Sequence, residues 1–249
     1  MNNSYQYGEF TIEILYEDSY IAILNKPSGL LTHKKNINDL SPNLQKSLTI
    51  KFDINDDDEH KEGIVHRLDK DTSGIIIITK NNEAKKMFQY LFKNREIKKN
   101  YLAFVFGLPN KNIFEISKNI TRQKTQRIKF NTSENYGKYA LTKIENIQNY
   151  FGSISKLDCE IVTGRTHQIR VHLNSLGLPI IGDETYKLNK EQKFRLNNIP
   201  IDIRNLLNNF NRQALHSYKL EFKHPILKKI IKITCDLPAD MQDLEEKLL

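Results

Sequence analysis

The sequence predicts an α+β fold, in which a mixed, mostly antiparallel sheet carries helices on its faces. Two observations support this prediction: segments with strand patterns outnumber those with helical patterns, and short turns join most neighbouring segments. The 249 residues are enough to bury a substantial core without metal ions or disulfides. We expect a polar tail over residues 1–10 and a single folded domain over residues 11–249.

The first third of the chain contains strands and one clear helix. Two apolar, β-branched runs within "TIEILYEDSYIAILNKP" flank the turn residues Glu17, Asp18 and Ser19, which indicates a hairpin. The polar run from Asp53 to Lys61 predicts a solvated loop, and it lacks the spacing of an EF-hand cation site. Apolar residues then recur at helical spacing on one face, at Ala84, Met87, Phe88, Leu91 and Phe92.

The remainder of the chain is predicted to be rich in strands. "KNYLAFVFG", "YALTKIENI" and "GSISKLDCEIV" have strand patterns, and the residues that follow predict a helix ending at Gly177. An Asn-rich, weakly helical segment over residues 187–211 has the character of an insertion. Two further strands precede a closing amphipathic helix whose apolar side carries Met241, Leu244 and Leu248.

Composition narrows the class of protein. The 38 Lys and Arg residues exceed the 30 Asp and Glu residues and give a net charge of +8, which favours a polyanionic partner such as nucleic acid. A biased genome composition would also produce this abundance of lysine. The two cysteines form no metal-ligand pattern, and the sequence shows neither a signal peptide nor a membrane span, so we expect a cytoplasmic protein.

One carboxylate in the stretch "GIVHRLDKDTSGIIII" requires a chemical explanation. Asp69 follows Arg67 by two residues and precedes four consecutive isoleucines that have the character of a buried strand. Asp71 has a simpler explanation, because "DTSG" is typical of a turn. Asp69 is either a surface carboxylate paired with a nearby cation or a carboxylate held against a sheet edge, where it needs a cationic partner to stay ionised.

The stretch "GRTHQIRVH" offers such a cation. Its arginines, histidines and glutamine surround a predicted helix N-terminus, which suits an anion or a carboxylate. The five-residue spacing of His167 and His172 argues against a zinc site and leaves a structural role open for both. The basic segment from Ser117 to Lys129 predicts an exposed β-ribbon, which is either an ordinary solvated hairpin or an arm that contacts RNA.

Five stretches of the chain carry the motifs of one known family, in the order and spacing of that family. They are "YEDSYIAILNKPSGLLTH", "HRLDKDTSGIIIITKN", "KNYLAFVFG", "GRTHQIRVHLNSLGLPIIGDETY" and "RQALHSYKLEFKHP". Together they resemble the motif set of the RluA-type pseudouridine synthases, from about Ile12 to about Pro238. Any one of these motifs would be weak evidence, whereas the ordered set is specific.

The resemblance implies an enzyme that isomerises uridine to pseudouridine within RNA, without cofactor or metal. By motif position, Asp69 is the nucleophile, Tyr101 lies against the uracil ring, and Arg165 pairs with Asp69. Residues expected to bind RNA are Arg67, His66, Thr72, Lys99, His167, Gln168, Arg170, Arg122, Lys124 and Arg127. Residues expected to line the pocket are Ile169 and Leu173.

We therefore expect a monomeric enzyme that acts on ribosomal or transfer RNA and flips the target base out of its stack. Residues 11–249 would form the catalytic domain, and the RNA-binding module that many relatives carry before it would be absent. Two alternatives remain: a catalytically silent RNA-binding protein with the same fold, and a hydrolase of glycosidic bonds. A hydrolase normally requires two carboxylates facing each other across the scissile bond. Since Asp71 is assigned to a turn, Asp69 has no second carboxylate nearby in sequence, which argues against a hydrolase.

Overall fold

A computed structural model describes residues 3–34, 38–54, 63–123, 125–126, 128–188, 196 and 199–249 of the chain. It confirms the predicted α+β class, with mostly antiparallel strands accompanied by helices. The described elements are, in chain order, β1 (Ser4–Tyr7), β2 (Phe10–Glu17), β3 (Ile21–Lys26), α1 (Leu44–Lys51), β4 (Ser73–Thr79), α2 (Asn82–Lys93), β5 (Lys98–Phe106), β6 (Ile113–Arg122), β7 (Phe130–Ser133), β8 (Lys138–Tyr150), β9 (Ile154–Ile161), α3 (Gln168–Ser175), α4 (Ile201–Asn208), β10 (Leu215–Lys223), β11 (Ile230–Thr234) and α5 (Ala239–Leu248).

The chain divides into two compact units, and the single domain expected over residues 11–249 stays a prediction. The first unit comprises Met1–Lys99 and Ser217–Asp236, and the second comprises Asn100–His216 and Leu237–Leu249. Each unit is therefore built from segments that are distant in sequence. Local sequence patterns do not predict such an arrangement. No helix among the described residues is long and apolar enough to span a membrane.

The first unit is a sheet with the strand order β1-β2-β3-β4-β10-β11. Every residue of β4 is buried, which confirms that the isoleucine run occupies a sheet interior. The apolar face of α2 packs on β4, as its spacing predicted, and Phe88 meets Phe222 of β10 with ring centroids 5.4 Å apart. This packing fixes the strand that directly follows the Asp69 segment.

The second unit is an antiparallel sheet with the strand order β5-β9-β8-β6-β7. Helix α3 packs on β6, β7 and β8, where Val171 joins a small core with Ile120, Ala140 and Tyr186. The closing helix α5 buries the three residues predicted for its apolar side, which are Met241, Leu244 and Leu248.

Two described elements were missed by sequence reasoning. Strand β1 lies within the expected polar tail, pairs with β2, and buries Tyr5, whose hydroxyl hydrogen-bonds Ser47 Oγ at 3.0 Å. That serine belongs to α1, whose first turn is capped by the Asn43 side chain. Much of the predicted acidic loop (55–61) and part of the Asn-rich segment (189–195, 197 and 198) lie outside the described residues.

Gly74 lies where two strands of the first unit, β4 and β10, approach each other closely. Its φ is +111°, and an added Cβ would clash with the backbone of Ser217 in β10. Gly152 also has a positive φ, +61°, but a Cβ there would meet no atom within 4 Å. We expect Gly152→Ala to cost about 1–2 kcal/mol of unfolding free energy from backbone conformation alone, and Gly74→Ala to cost at least twice as much.

Urea denaturation of the two glycine variants checks this prediction. The excess cost at Gly74 combines the steric conflict with Ser217 and a φ of +111°, which is less favourable for alanine than the +61° of Gly152. Equal destabilisation of the two variants would show that the strands can separate at little cost.

Candidate active site

The backbone around Asp69 is held from the neighbouring segment at residues 26–32. The Thr32 hydroxyl donates a hydrogen bond to Leu68 O (2.8 Å) and accepts one from Leu68 N (3.2 Å). On the other side of Asp69, Lys70 O accepts from Gly29 N at 3.0 Å. A turn closed by Thr72 N and Asp69 O follows at 3.2 Å. The half-buried Asp69 is thus fixed on both sides by its neighbours.

Lys26 provides the third attachment of this loop. It is fully buried, and its ammonium donates to the carbonyl oxygens of Pro27, Leu30 and Lys70 at 2.7–2.9 Å. Three carbonyl acceptors satisfy the three donors of an ammonium group. Lys26 therefore ties the end of β3 to the residue next to Asp69.

His66 and Lys99 lie together beside Phe92, within the first unit. The Lys99 ammonium lies 5.2 Å from the centroid of the Phe92 ring, and the His66 ring lies 4.6 Å from it. His66 Nε2 accepts a hydrogen bond from Ile77 N at 2.8 Å, which requires the imidazole to be neutral with its proton on Nδ1. Burial, and then the Lys99 charge, lowers the pKa of His66 to about 3.

Two other predicted residues flank Asp69 in contrasting environments. Arg67 is exposed, so its guanidinium is available to a ligand. Thr72 is 2% exposed, which favours a role in holding the loop over direct contact with RNA.

Tyr101 lies on β5 of the second unit, and the strand register shows to which face of the sheet its side chain projects. It is 6% exposed and lies opposite Cys159, which in turn lies opposite Ile144. Residues opposite each other in an antiparallel pair project to the same side of the sheet, as do alternate residues of one strand. Thr142, two residues from Ile144, hydrogen-bonds His172 of α3. Tyr101 therefore projects toward the face on which the predicted arginine motif packs.

Arg165 precedes α3 and is held by the protein backbone. Its Nε donates to Tyr139 O at 3.0 Å, and its own backbone N donates to Gln168 Oε1 at 3.0 Å. The Gln168 amide also accepts from Thr163 Oγ1 and donates to Leu141 O and Thr142 Oγ1. Gln168 is 4% exposed, so its amide positions Arg165 and leaves little opportunity for direct RNA contact.

The other polar residues of this motif also contact the protein. Arg170, 6% exposed, makes a two-pronged ion pair with Asp183 at 2.6 and 2.8 Å, which favours a structural role over the predicted RNA contact. His167 adopts a left-handed conformation with φ +56°, and its Nδ1 lies 3.1 Å from the Tyr186 hydroxyl. The predicted pocket residues Ile169 and Leu173 are both buried on α3.

His172 confirms the structural interpretation for one of the two histidines. It is completely buried, with Nδ1 2.9 Å from Thr142 Oγ1 and Nε2 3.3 Å from Lys118 O. Burial lowers its pKa to about 4. Among the described residues, no group of three or more His, Cys, Asp or Glu could hold a metal ion.

The segment predicted as a β-ribbon, Ser117–Lys129, contains the end of β6 and leads into β7, which pairs with β6 in antiparallel register. Arg122 is exposed at the end of β6, where its guanidinium lies 5.3 Å from the centroid of the Phe130 ring. Lys124 and Arg127, also expected to bind RNA, lie outside the described residues.

Comparison with known proteins identifies the family. The model of the RNA pseudouridylate synthase family matches residues 20–175, which include Asp69, Tyr101 and Arg165. An uncharacterized RNA pseudouridine synthase of Chlorobaculum parvum is 37% identical over 246 residues, which are 96% of this chain and 75% of that protein. The chain therefore belongs to the RNA pseudouridylate synthase family, a family of isomerases that act on RNA.

Two further comparisons agree with this membership. Ribosomal large subunit pseudouridine synthase D of Borreliella burgdorferi is 42% identical over 181 residues, 70% of this chain and 54% of that protein. The match thus spans about half the length of the Borreliella protein. The solved structure of human RNA pseudouridylate synthase domain containing 1 superposes with a TM-score of 0.67 and 25% identity, covering 95% of this chain and 94% of that one.

Thr32→Val should loosen the Asp69 loop. Valine keeps the shape of threonine but leaves the buried Leu68 N–H and C=O without their partner, at a cost of about 1–3 kcal/mol. Thr49→Val is the matched control, because the Thr49 hydroxyl makes a single exposed bond to Lys46 O within α1. Urea denaturation should show a loss for Thr32→Val several times that of the control, and similar losses would contradict the role of Thr32.

His172 should make stability fall in acid. An unfolded histidine binds a proton near pH 6.5, whereas the folded residue resists protonation until about pH 4. The unfolded state therefore binds more protons between these values, and stability drops as pH falls through this window, by about 2 kcal/mol between pH 7.5 and 5. His172→Gln, whose amide can replace both hydrogen bonds, should lose that much less over the same pH range. Parallel losses in both proteins would contradict the assignment.

Proposed function

We propose that this protein isomerises specific uridines of ribosomal or transfer RNA to pseudouridine, with Asp69 as the nucleophile. Family membership supports the reaction, and relatives named ribosomal large subunit pseudouridine synthase D support a ribosomal substrate. The observation that carries the assignment of Asp69 is the attachment of its backbone on both sides by Thr32, Lys26 and Gly29. A nucleophile must be held in position to react efficiently.

The reaction requires one carboxylate that attacks and later leaves. The bond between ribose C1′ and uracil N1 breaks, the ring turns, a bond forms between C1′ and C5, the C5 proton is released, and N1 takes up a proton, so the product is an isomer of the substrate. An ionised Asp69 can begin this sequence by attacking either the sugar or the ring. No second carboxylate is needed, because water does not take part in the net reaction.

Tyr101 and Arg165 are proposed to assist Asp69. The motif position of Arg165 assigns it to keep the nucleophilic carboxylate ionised, since a nearby cation lowers the pKa of a carboxyl group. Its backbone contacts with Tyr139 and Gln168 support a fixed guanidinium. Tyr101 is proposed to stack on uracil and to help remove the C5 proton. Its position on the same sheet face as α3 supports a shared site with Arg165.

The target base must leave its stack before it can react, which costs a few kcal/mol. We propose that Arg67 occupies the space that the base vacates and that Arg122 binds the RNA backbone. Both side chains are exposed, and an arginine can combine stacking with hydrogen bonds to phosphate. The net charge of +8 supports binding to a polyanion.

Asp69→Asn tests the nucleophile in an assay of tritium release from ribosomal and transfer RNA labelled at uracil C5. We expect release to fall by a factor of about 10⁴ or more, since loss of a nucleophile has effects of this size. Asparagine keeps the shape of the side chain, so RNA binding should stay within a factor of about three. Asp71→Asn is the matched control and should retain most of the activity.

Three outcomes would contradict the proposed function. RNA binding by the wild type without any tritium release would favour a silent RNA-binding protein. Appearance of free uracil would favour a hydrolase. Equal losses in the Asp69 and Asp71 variants would remove the special role of Asp69.

A further inference from the structure

Three described lysines of the first unit are buried, Lys26, Lys85 and Lys99, and the ammonium groups of Lys26 and Lys99 have contrasting surroundings. Lys26 is 0% exposed, and carbonyl oxygens accept from all three of its donors. Lys99 is 6% exposed, and its ammonium makes no hydrogen bond or ion pair with any described residue. Its contact is with the face of the Phe92 ring, at 5.2 Å. A buried ammonium normally has acceptors, so the difference requires an explanation.

The neighbouring histidine cannot supply the missing acceptor. The lone pair of His66 Nε2 is already used by Ile77 N, and the neutral ring then carries its proton on Nδ1. The polar groups around Phe92 are thus the Lys99 ammonium and the neutral His66 ring. The face of Phe92 stabilises the ammonium by a cation–π contact but accepts no conventional hydrogen bond, so the N–H groups of the ammonium can still donate to an anion.

The Lys99 ammonium is accessible to a ligand. It makes no hydrogen bond or ion pair with a described residue, yet it is not among the described side-chain atoms that lack a hydrogen-bond partner and are sealed from solvent, such as Arg204 Nε. Burial lowers the pKa of Lys99 to about 8. The side chain is therefore still mostly charged at neutral pH, and the folded protein bears the cost of an incompletely solvated cation.

We propose that Lys99 is a binding site for a phosphate group of RNA, and that its ammonium has no hydrogen-bond acceptor among the described residues so that a phosphate oxygen can take that place. This inference rests on the proposed function. Among the groups of RNA, the phosphodiester carries the full negative charge that a desolvated ammonium requires. His66 would support the site by remaining neutral, because its N–H can donate without adding a second positive charge.

Lys99→Met tests the site, with Lys98→Met as the matched control. Both substitutions remove one positive charge from β5, but Lys98 is exposed and Lys99 is buried. RNA binding should be measured across a series of salt concentrations, together with the melting temperature of the free protein. We expect Lys99→Met to weaken binding about tenfold and to reduce the slope of log K against log salt by about one phosphate contact. Lys98→Met should change neither quantity by a comparable amount.

The melting temperature separates a binding role from a structural one. A lysine that exists to bind RNA is a burden on the free protein, so Lys99→Met should melt at the same or a higher temperature than the wild type. A lower melting temperature with unchanged RNA binding would show that Lys99 is structural and would overturn the inference. Weaker binding with an unchanged salt slope would also overturn it, because the bound group would then be uncharged.

This result can be distinguished from the test of Asp69. If Lys99→Met binds RNA as the wild type does while Asp69→Asn abolishes tritium release, the phosphate site fails and the proposed function stands. If the wild type releases no tritium, the proposed function fails regardless of the salt slope of the Lys99 variant.

Discussion

The attachment of the Asp69 loop to residues 26–32 is the constraint on which the candidate site depends. A carboxylate on an unsupported loop would sample many positions, and each productive encounter would cost conformational entropy. Here the Thr32 hydroxyl occupies both backbone groups of Leu68, while Lys26 and Gly29 share the carbonyl of Lys70. The backbone around Asp69 is therefore already restricted in the folded protein, so this conformational entropy is not lost on binding RNA.

Among the described residues, buried charges are found in three contrasting environments. Lys26 is surrounded by carbonyl groups and has no donor left for a ligand. Arg170 and Asp183 neutralise each other in a two-pronged pair, so both are occupied by the structure. Lys99 has neither a carbonyl cage nor a counter-ion among the described residues. Removing a partner from a buried charge is costly, so a site without one is best explained by a partner supplied from outside.

Sequence patterns predicted the fold class, the main strands and the apolar face of α2, because these depend on periodicity that any buried element must show. Strand β1 was missed because its four residues are mostly polar, and its pairing with β2 is a tertiary contact. The motifs pointed to Asp69 and Arg165 but did not assign a role to Thr32 or to the Tyr139 carbonyl. Thr32 stands in a motif stretch, yet its partner is the backbone of the distant Leu68, and a backbone carbonyl such as that of Tyr139 leaves no signature in side-chain identity.

Several residues of the motifs, such as Gln168 and Arg170, are buried and contact other protein groups. A motif marks positions at which a side chain is needed, without distinguishing contact with substrate from support of a neighbour that makes the contact. Gln168 illustrates the second case: each hydrogen-bonding group of its amide is used inside the second unit, and one of its partners is the backbone of Arg165. An arginine side chain has many rotamers, and fixing it in advance lowers the entropy lost when it acts. The buried glutamine therefore acts through its contacts within the protein, whereas the exposed Arg67 has the accessibility that direct contact with a ligand requires.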